Sequence, residues 1–251
     1  RGIGFAIALM LVEEGFHVVI CSRSQKEGIG ASKALKEIRL KCGGTGKIVY
    51  HIVDVGREDQ ACNFINKVVK EFGRIDILVN NAAEAVKKGF EKVKKSDIQT
   101  IFETNLYGLF WCTKNSLPFL LKSPRHLIVN LSSKMDTKPV EGCSIYSVTK
   151  GAISSFTRAL AIEYPSSKLR VFGIKPGKVE TKLLNKLRPG EKAKYKPKDV
   201  AEWVRYLIFD RTNDKSGAIY AMPGSIQNMC GKKNMRKKNA ENRIYIKRKR
   251  I

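Results

Sequence analysis

HLIVNLSSKMDTKPVEGCSIYSVTKGAISSFTRAL, residues 126–160, reads as one strand, one loop and the start of one helix. Residues 126–131 are apolar with almost no interruption, the pattern of a parallel strand covered on both faces. The amphipathic stretch 146–163 then predicts a helix, so the segment is a βα unit of a parallel sheet. The same alternation runs from residue 3 to residue 222. It predicts strands at 17–21, 48–53, 75–80, 169–174 and 218–222, and helices near 4–14, 26–41, 58–72, 97–121 and 198–209. Ser96 with Asp97, and Pro197, supply start signals for two of those helices. The expected fold is α/β: a Rossmann-like, doubly wound parallel sheet flanked by helices, in one domain over residues 1–228.

The chain opens on RGIG, glycines that begin a helix with no strand ahead of it. A dinucleotide fold places such glycines directly after its first strand, which is central in the sheet. The expectation is therefore an N-terminally truncated sheet lacking that strand. Residues 243–246 could supply a strand late in the chain, but their flanking charges argue against a buried central place.

Composition narrows the class. The 251 residues carry 48 Lys+Arg against 23 Asp+Glu, a formal charge of +25, and 43% are hydrophobic, which suits a large core and excludes a disordered or collagen-like chain. The longest apolar stretch, 3–12, is far short of the roughly 20 residues that a bilayer crossing requires. No signal peptide is recognisable. Six cysteines without CxxC spacing point to a reducing, intracellular setting. His17, His51 and His126 have no second ligand at metal spacing, so no metal is expected. Residues 229–251 hold ten Lys/Arg and one Glu. This basic, apolar-poor tail is expected to be flexible. Its charge also supports an alternative reading, a non-catalytic or fragmentary Rossmann-fold protein that binds nucleic acid or anionic partners. Against nucleic acid, Tyr245 is the tail's lone aromatic, and no stacking platform is interleaved with the charges.

Chemistry gathers at the sheet's carboxyl edge. Gly2 and Gly4 would let a pyrophosphate approach backbone N–H groups at a helix N-terminus. After the second predicted strand, VVICSRS has no acidic residue to hold a ribose hydroxyl of NAD. Arg23 stands there instead and Arg1 lies beside the glycines, so two guanidinium groups could clamp the 2′-phosphate of NADP(H). Tyr146 and Lys150 share a helix face, and Ser133 follows the strand before them. Tyr164 with Lys168 and Tyr245 with Lys249 repeat the YxxxK spacing, but Pro165 interrupts the first pair and the second lies in the tail. A phenol titrates near 10, so work near neutrality needs a shift of roughly 3 units, about 4 kcal/mol. The Lys150 ammonium is expected to help supply that shift and to hold the cofactor ribose, while Ser133 binds the substrate oxygen and Tyr146 exchanges a proton with it.

These residues resemble the short-chain dehydrogenase/reductase family. The likeness runs in order through RGIG (Arg1, Gly2, Ile3, Gly4), ICSR, Asp54, NNAA, TNLYG, IVNLSS, YSVTK and KPGKVETK, covering about 225 of the 251 residues. It implies a catalytic tetrad of Asn105, Ser133, Tyr146 and Lys150, with Asn105 holding a water in a relay from Lys150. By the same resemblance, Asp54 and Val55 contact adenine, Asn81 and Ala82 form the cofactor-side turn, and Pro176, Gly177, Val179 and Thr181 face the nicotinamide. The implied activity is NADP(H)-dependent interconversion of a carbonyl and an alcohol on a small-molecule substrate. The closest subgroup pattern is that of NADP-dependent carbonyl reductases, often tetrameric and peroxisomal, followed by bacterial 3-oxoacyl carrier-protein reductases. A homotetramer is expected, in the cytoplasm first, with peroxisome or mitochondrion as alternatives. The chain departs from the pattern at NNAA, in its basic tail without a peroxisomal tripeptide, and at charged Lys134, Asp136 and Lys138, where many members carry small apolar residues. Leu183, Leu184 and Leu187 either line an open substrate pocket or pack one short helix.

Overall fold

The structure is a computed structural model that describes residues 2–165, 168–209 and 214–222. Arg1, the basic tail and the 243–246 segment lie outside the described residues. Six strands are present among them: β1 (Val18–Ser22), β2 (Ile48–Ile52), β3 (Ile77–Asn80), β4 (Leu127–Leu131), β5 (Arg170–Lys175) and β6 (Ile219–Ala221). Helices α1 (Gly2–Glu13), α2 (Gln25–Lys41), α3 (Glu58–Phe72), α4 (Lys95–Phe102), α5 (Gly108–Leu120), α6 (Ser144–Glu163), α7 (Lys182–Leu187) and α8 (Pro197–Phe209) alternate with them.

Every described strand pair is parallel. β2 pairs with β1, and β3, β4, β5 and β6 follow one another in a second sheet, with Leu131 opposite Ile174 at the carboxyl edge. Alternation along β4 shows why its sequence is apolar throughout. Leu127, Val129 and Leu131 pack with Ile7 and Met10 of α1 and Trp203, Val204 and Leu207 of α8. Ile128 faces the other way, into Ile65 and Val68 of α3, Leu120 of α5 and Leu160 of α6. A strand whose two faces both meet helices has no position left for a polar side chain facing solvent. The Rossmann-like α/β architecture expected from the sequence is thus the one observed.

β1 and β3 face each other across a cleft of 1210 Å³. They run in the same direction. His17 and Phe72 meet near their starts, with ring centroids 5.5 Å apart, and Arg23 reaches Glu84 beyond their ends at 3.4 Å. Among the described residues no strand pairs with their facing edges.

The helix expected over 97–121 is not continuous. α4 ends at Phe102, a π-turn occupies Glu103–Tyr107, and α5 starts at Gly108. Apolar periodicity runs through this stretch, and the break arises from hydrogen bonds that turn Asn105 inward, a common role of such wide turns.

Beside the 1210 Å³ cleft, Gly28 makes room for Tyr50. A Cβ there would fall 2.0 Å from the Tyr50 ring, whose hydroxyl donates to the Ser24 carbonyl at 3.0 Å. In an ordinary helix Gly→Ala stabilises by about 1 kcal/mol. Here Gly28→Ala should instead destabilise by about 1–3 kcal/mol in urea unfolding, because the ring is tied in place.

Candidate active site

Strand β4 delivers its last residue, Leu131, to the carboxyl edge, and the chain then turns. Ser132 N–H donates to the Ile174 carbonyl at 2.8 Å, tying the start of the turn to β5. Ser133 caps a single 3₁₀ turn, Lys134–Asp136, its Oγ accepting from Met135 N–H at 3.1 Å. Helix α6 begins at Ser144, so Tyr146 lies in its first turn with Lys150 one turn on. The Ser133 side chain stands beside the Tyr146 phenol, close enough to favour its ionised form. Lys150 Nζ donates to the Leu131 carbonyl at 2.7 Å and sits 5.5 Å from the Tyr146 ring centroid. The three side chains named by spacing alone therefore converge.

Burial pushes the Tyr146 phenol above its ordinary value, nearby Cys143 adds to the rise, and the Ser133 side chain only partly offsets it. Burial also lowers Lys150 to about 8. The amine's hydrogen bond goes to a carbonyl of β4, and removing both groups from water disfavours phenolate and ammonium alike.

A cleft of 600 Å³ opens over these residues. Ser133, Tyr146 and Lys150 share its lining with Gly2, Ile3, Gly4, Asn81, Pro176, Gly177, Val179 and Thr181. Gly4 is needed at its position, since a Cβ there would stand 2.7 Å from Asn81 Nδ2. Gly2 has φ +59°, left-handed backbone that favours glycine, and packs beside Thr181. Thr181 caps α7, accepting from Leu184 N–H at 3.2 Å. Gly4 and Asn81 also border the 1210 Å³ cleft, which carries Arg23, Asp54, Val55, Ala82 and Asn105. The two clefts together form a continuous trough, with the predicted adenine-end residues in one and the predicted nicotinamide-end residues in the other.

Asn105 is buried and hydrogen-bonds the residue just before Lys150 as well as the loop after β3. Its Oδ1 accepts from Glu84 N–H at 2.7 Å, and its Nδ2 donates to the Glu84 carbonyl at 2.9 Å and to Thr149 Oγ1 at 3.0 Å. The side chain thus pins the loop after β3 to α6. Asp54 Oδ1 accepts from Gly56 N–H at 3.0 Å, shaping the turn after β2. Leucines 184 and 187 are buried, and Leu187 packs with Tyr146 and Ala85, so α7 both packs on the domain and walls the cleft.

Two residues at the rim escaped sequence reasoning. Glu84 accepts from Lys186 at 2.6 Å and from Arg23 at 3.4 Å. Its partial burial alone would raise its carboxyl, but the Lys186 hydrogen bond, the Ala85 N–H and the Arg23 charge outweigh that and hold it below the usual range. Glu84 follows NNAA directly, so a charge next to that motif was the available signal.

The profile of the family described as short chain dehydrogenase matches residues 1–192. A 3-oxoacyl-[acyl-carrier-protein] reductase, FabG, of Thermotoga maritima is 30% identical over 237 residues, 90% of this chain and 93% of that protein. An alcohol dehydrogenase from the archaeon Thermococcus sibiricus, complexed with 5-hydroxy-NADP, superposes with a TM-score of 0.78 at 27% identity, covering 88% of this chain and 92% of that one. ElxO with NADP bound gives a TM-score of 0.77 at 28% identity, covering 89% and 93%.

Proposed function

We propose that this chain, which belongs to the short-chain dehydrogenase family, is an NADP(H)-dependent reductase of small carbonyl compounds. The observation that carries the reading is the convergence of Ser133, Tyr146 and Lys150 on a cleft that the glycine-bearing start of α1 also lines. The trough fits a dinucleotide. Gly2 and Gly4 keep side chains away from the start of α1, where free N–H groups favour a pyrophosphate. Arg23 would hold the 2′-phosphate, Asp54 and Val55 the adenine, Lys150 the ribose, and residues 176–181 the nicotinamide end. Bound NADPH supplies the hydride.

The protein's own part is to bind, orient and move a proton. Ser133 Oγ donates to the carbonyl oxygen of the substrate and fixes it beside Tyr146. The Tyr146 hydroxyl gives that oxygen its proton as negative charge develops. A phenol raised by burial stays protonated near neutrality, the state from which it can donate. Lys150, at about 8, is largely ammonium at pH 7. The sequence resemblance to NADP-dependent carbonyl reductases supports ketone and retinal substrates, and the similarity to FabG keeps 3-oxoacyl thioesters in the panel. We assign a homotetramer built on the 97–121 stretch and α6, where Tyr107 of the π-turn and Val148 of α6 are exposed. The five described cysteines are free, in keeping with a reducing intracellular setting.

NADPH consumption with a panel of ketones, aldehydes and 3-oxoacyl thioesters tests the activity. Cofactor choice is tested separately. Removing a charge-assisted contact worth about 1.5–3 kcal/mol, Arg23→Asp should weaken NADPH binding by roughly 10–100-fold and shift preference toward NADH. Equal use of the two cofactors before and after the change would contradict the clamp.

A further inference from the structure

Beside the catalytic turn lies a buried ion pair that the reaction scheme does not use. Asp136, with its side chain only 2% exposed, holds Lys175 Nζ at 2.6 Å through Oδ2. Ser154 Oγ of α6 donates to the same oxygen at 2.7 Å, while Oδ1 is buried with no partner among the described residues. Ser154 lies 2.9 Å from Ser132 Oγ, which donates to the Lys150 carbonyl at 2.8 Å. Lys175 is the last residue of β5 and leads into Pro176 and Gly177 at the nicotinamide end of the cleft. The Pro176 carbonyl in turn accepts from Lys134 N–H at 3.2 Å. One carboxylate oxygen thus joins the Ser133 turn, the 175–177 segment and the helix carrying Tyr146 and Lys150.

Stability alone does not account for charges here. A buried ion pair is often no more stabilising than apolar residues of similar size, because desolvation offsets the attraction. What a paired carboxylate adds is direction: short contacts of fixed geometry to two separate elements.

We propose that Asp136 and Lys175 are positioning residues whose ion pair holds Ser133 in register with Tyr146 and Lys150. The proposal rests on the reductase reading above. It is tested on the full chain with Asp136→Asn, Lys175→Met and the double variant Asp136→Leu with Lys175→Met, measuring kcat, NADPH affinity and Tm. Each single change leaves one buried partner uncompensated and should lower both Tm and kcat. The double change removes both charges and should recover Tm, yet kcat should stay at least 10-fold below wild type with NADPH affinity within about 2-fold. Recovery of kcat together with Tm would overturn the proposal, leaving the pair a packing element only. Should the wild-type protein reduce none of the carbonyls offered, the reductase reading fails on its own. The same comparison is then read from the Lys150 titration, followed by NMR on ε-¹³C-lysine. A midpoint that differs between the wild type and the double variant supports positioning, and an unmoved midpoint refutes it.

Discussion

Tyr146→Phe is expected to reduce carbonyl turnover by about 10³-fold, within the 10²–10⁴ range that a positioned proton donor contributes. NADPH affinity, followed by the fluorescence of the bound cofactor, should change by less than about 2-fold. The substitution removes one oxygen from a ring that is 5% exposed and packs with Ala85, Cys143 and Leu187, so the fold has no cavity to absorb. Tyr146 is the only tyrosine among the described residues that line the 600 Å³ cleft. Turnover that survives the change would remove the tyrosine from the chemistry.

Lys150→Met should separate function from stability in opposite directions. Turnover should fall steeply because the ribose contact and the ammonium are lost. Stability at pH 7 should rise. Lys150 is 2% exposed and titrates at about 8 in the folded chain against an ordinary 10.5, so folding must bury an ammonium that would rather be hydrated. The sign follows from linkage: between pH 8 and 10.5 the unfolded chain binds the proton more tightly than the folded one, so stability rises with pH in that window. The full effect is about 3 kcal/mol, from about 1.4 kcal/mol per unit. Urea unfolding of wild type and variant, compared at several pH values, should show the variant's advantage greatest below pH 8 and fading toward pH 10.5. A difference independent of pH would contradict the burial of a titrating amine.

The positions of Tyr146, Lys150 and Ser133 were readable because each depends on local spacing: two residues one helical turn apart, and a hydroxyl just past an apolar strand. The parallel sheet was readable for a similar reason, since β4 and β5 are apolar on both faces. Readings that depended on distant contacts were not available. The 97–121 stretch has unbroken helical character, and only the bonds from Asn105 to Glu84 and Thr149 reveal its π-turn. Asp136 was visible as a misplaced charge, but its partner Lys175 comes from another strand and is brought near by the β4–β5 register. The burial that raises Tyr146 and lowers Lys150 is a property of the folded whole and has no signature in local spacing. Arg23 is described as paired with Glu84, so the clamp assigned to it depends on exchanging that carboxylate for a phosphate.

Turnover with NADPH carrying deuterium at the transferred position of C4, followed by mass spectrometry of the alcohol, reads the proposed hydride delivery to a carbonyl held by Ser133 and Tyr146. One deuterium on the carbinol carbon of every product molecule is expected. An alcohol without the label, or a cofactor that stays reduced while substrate disappears, would contradict it.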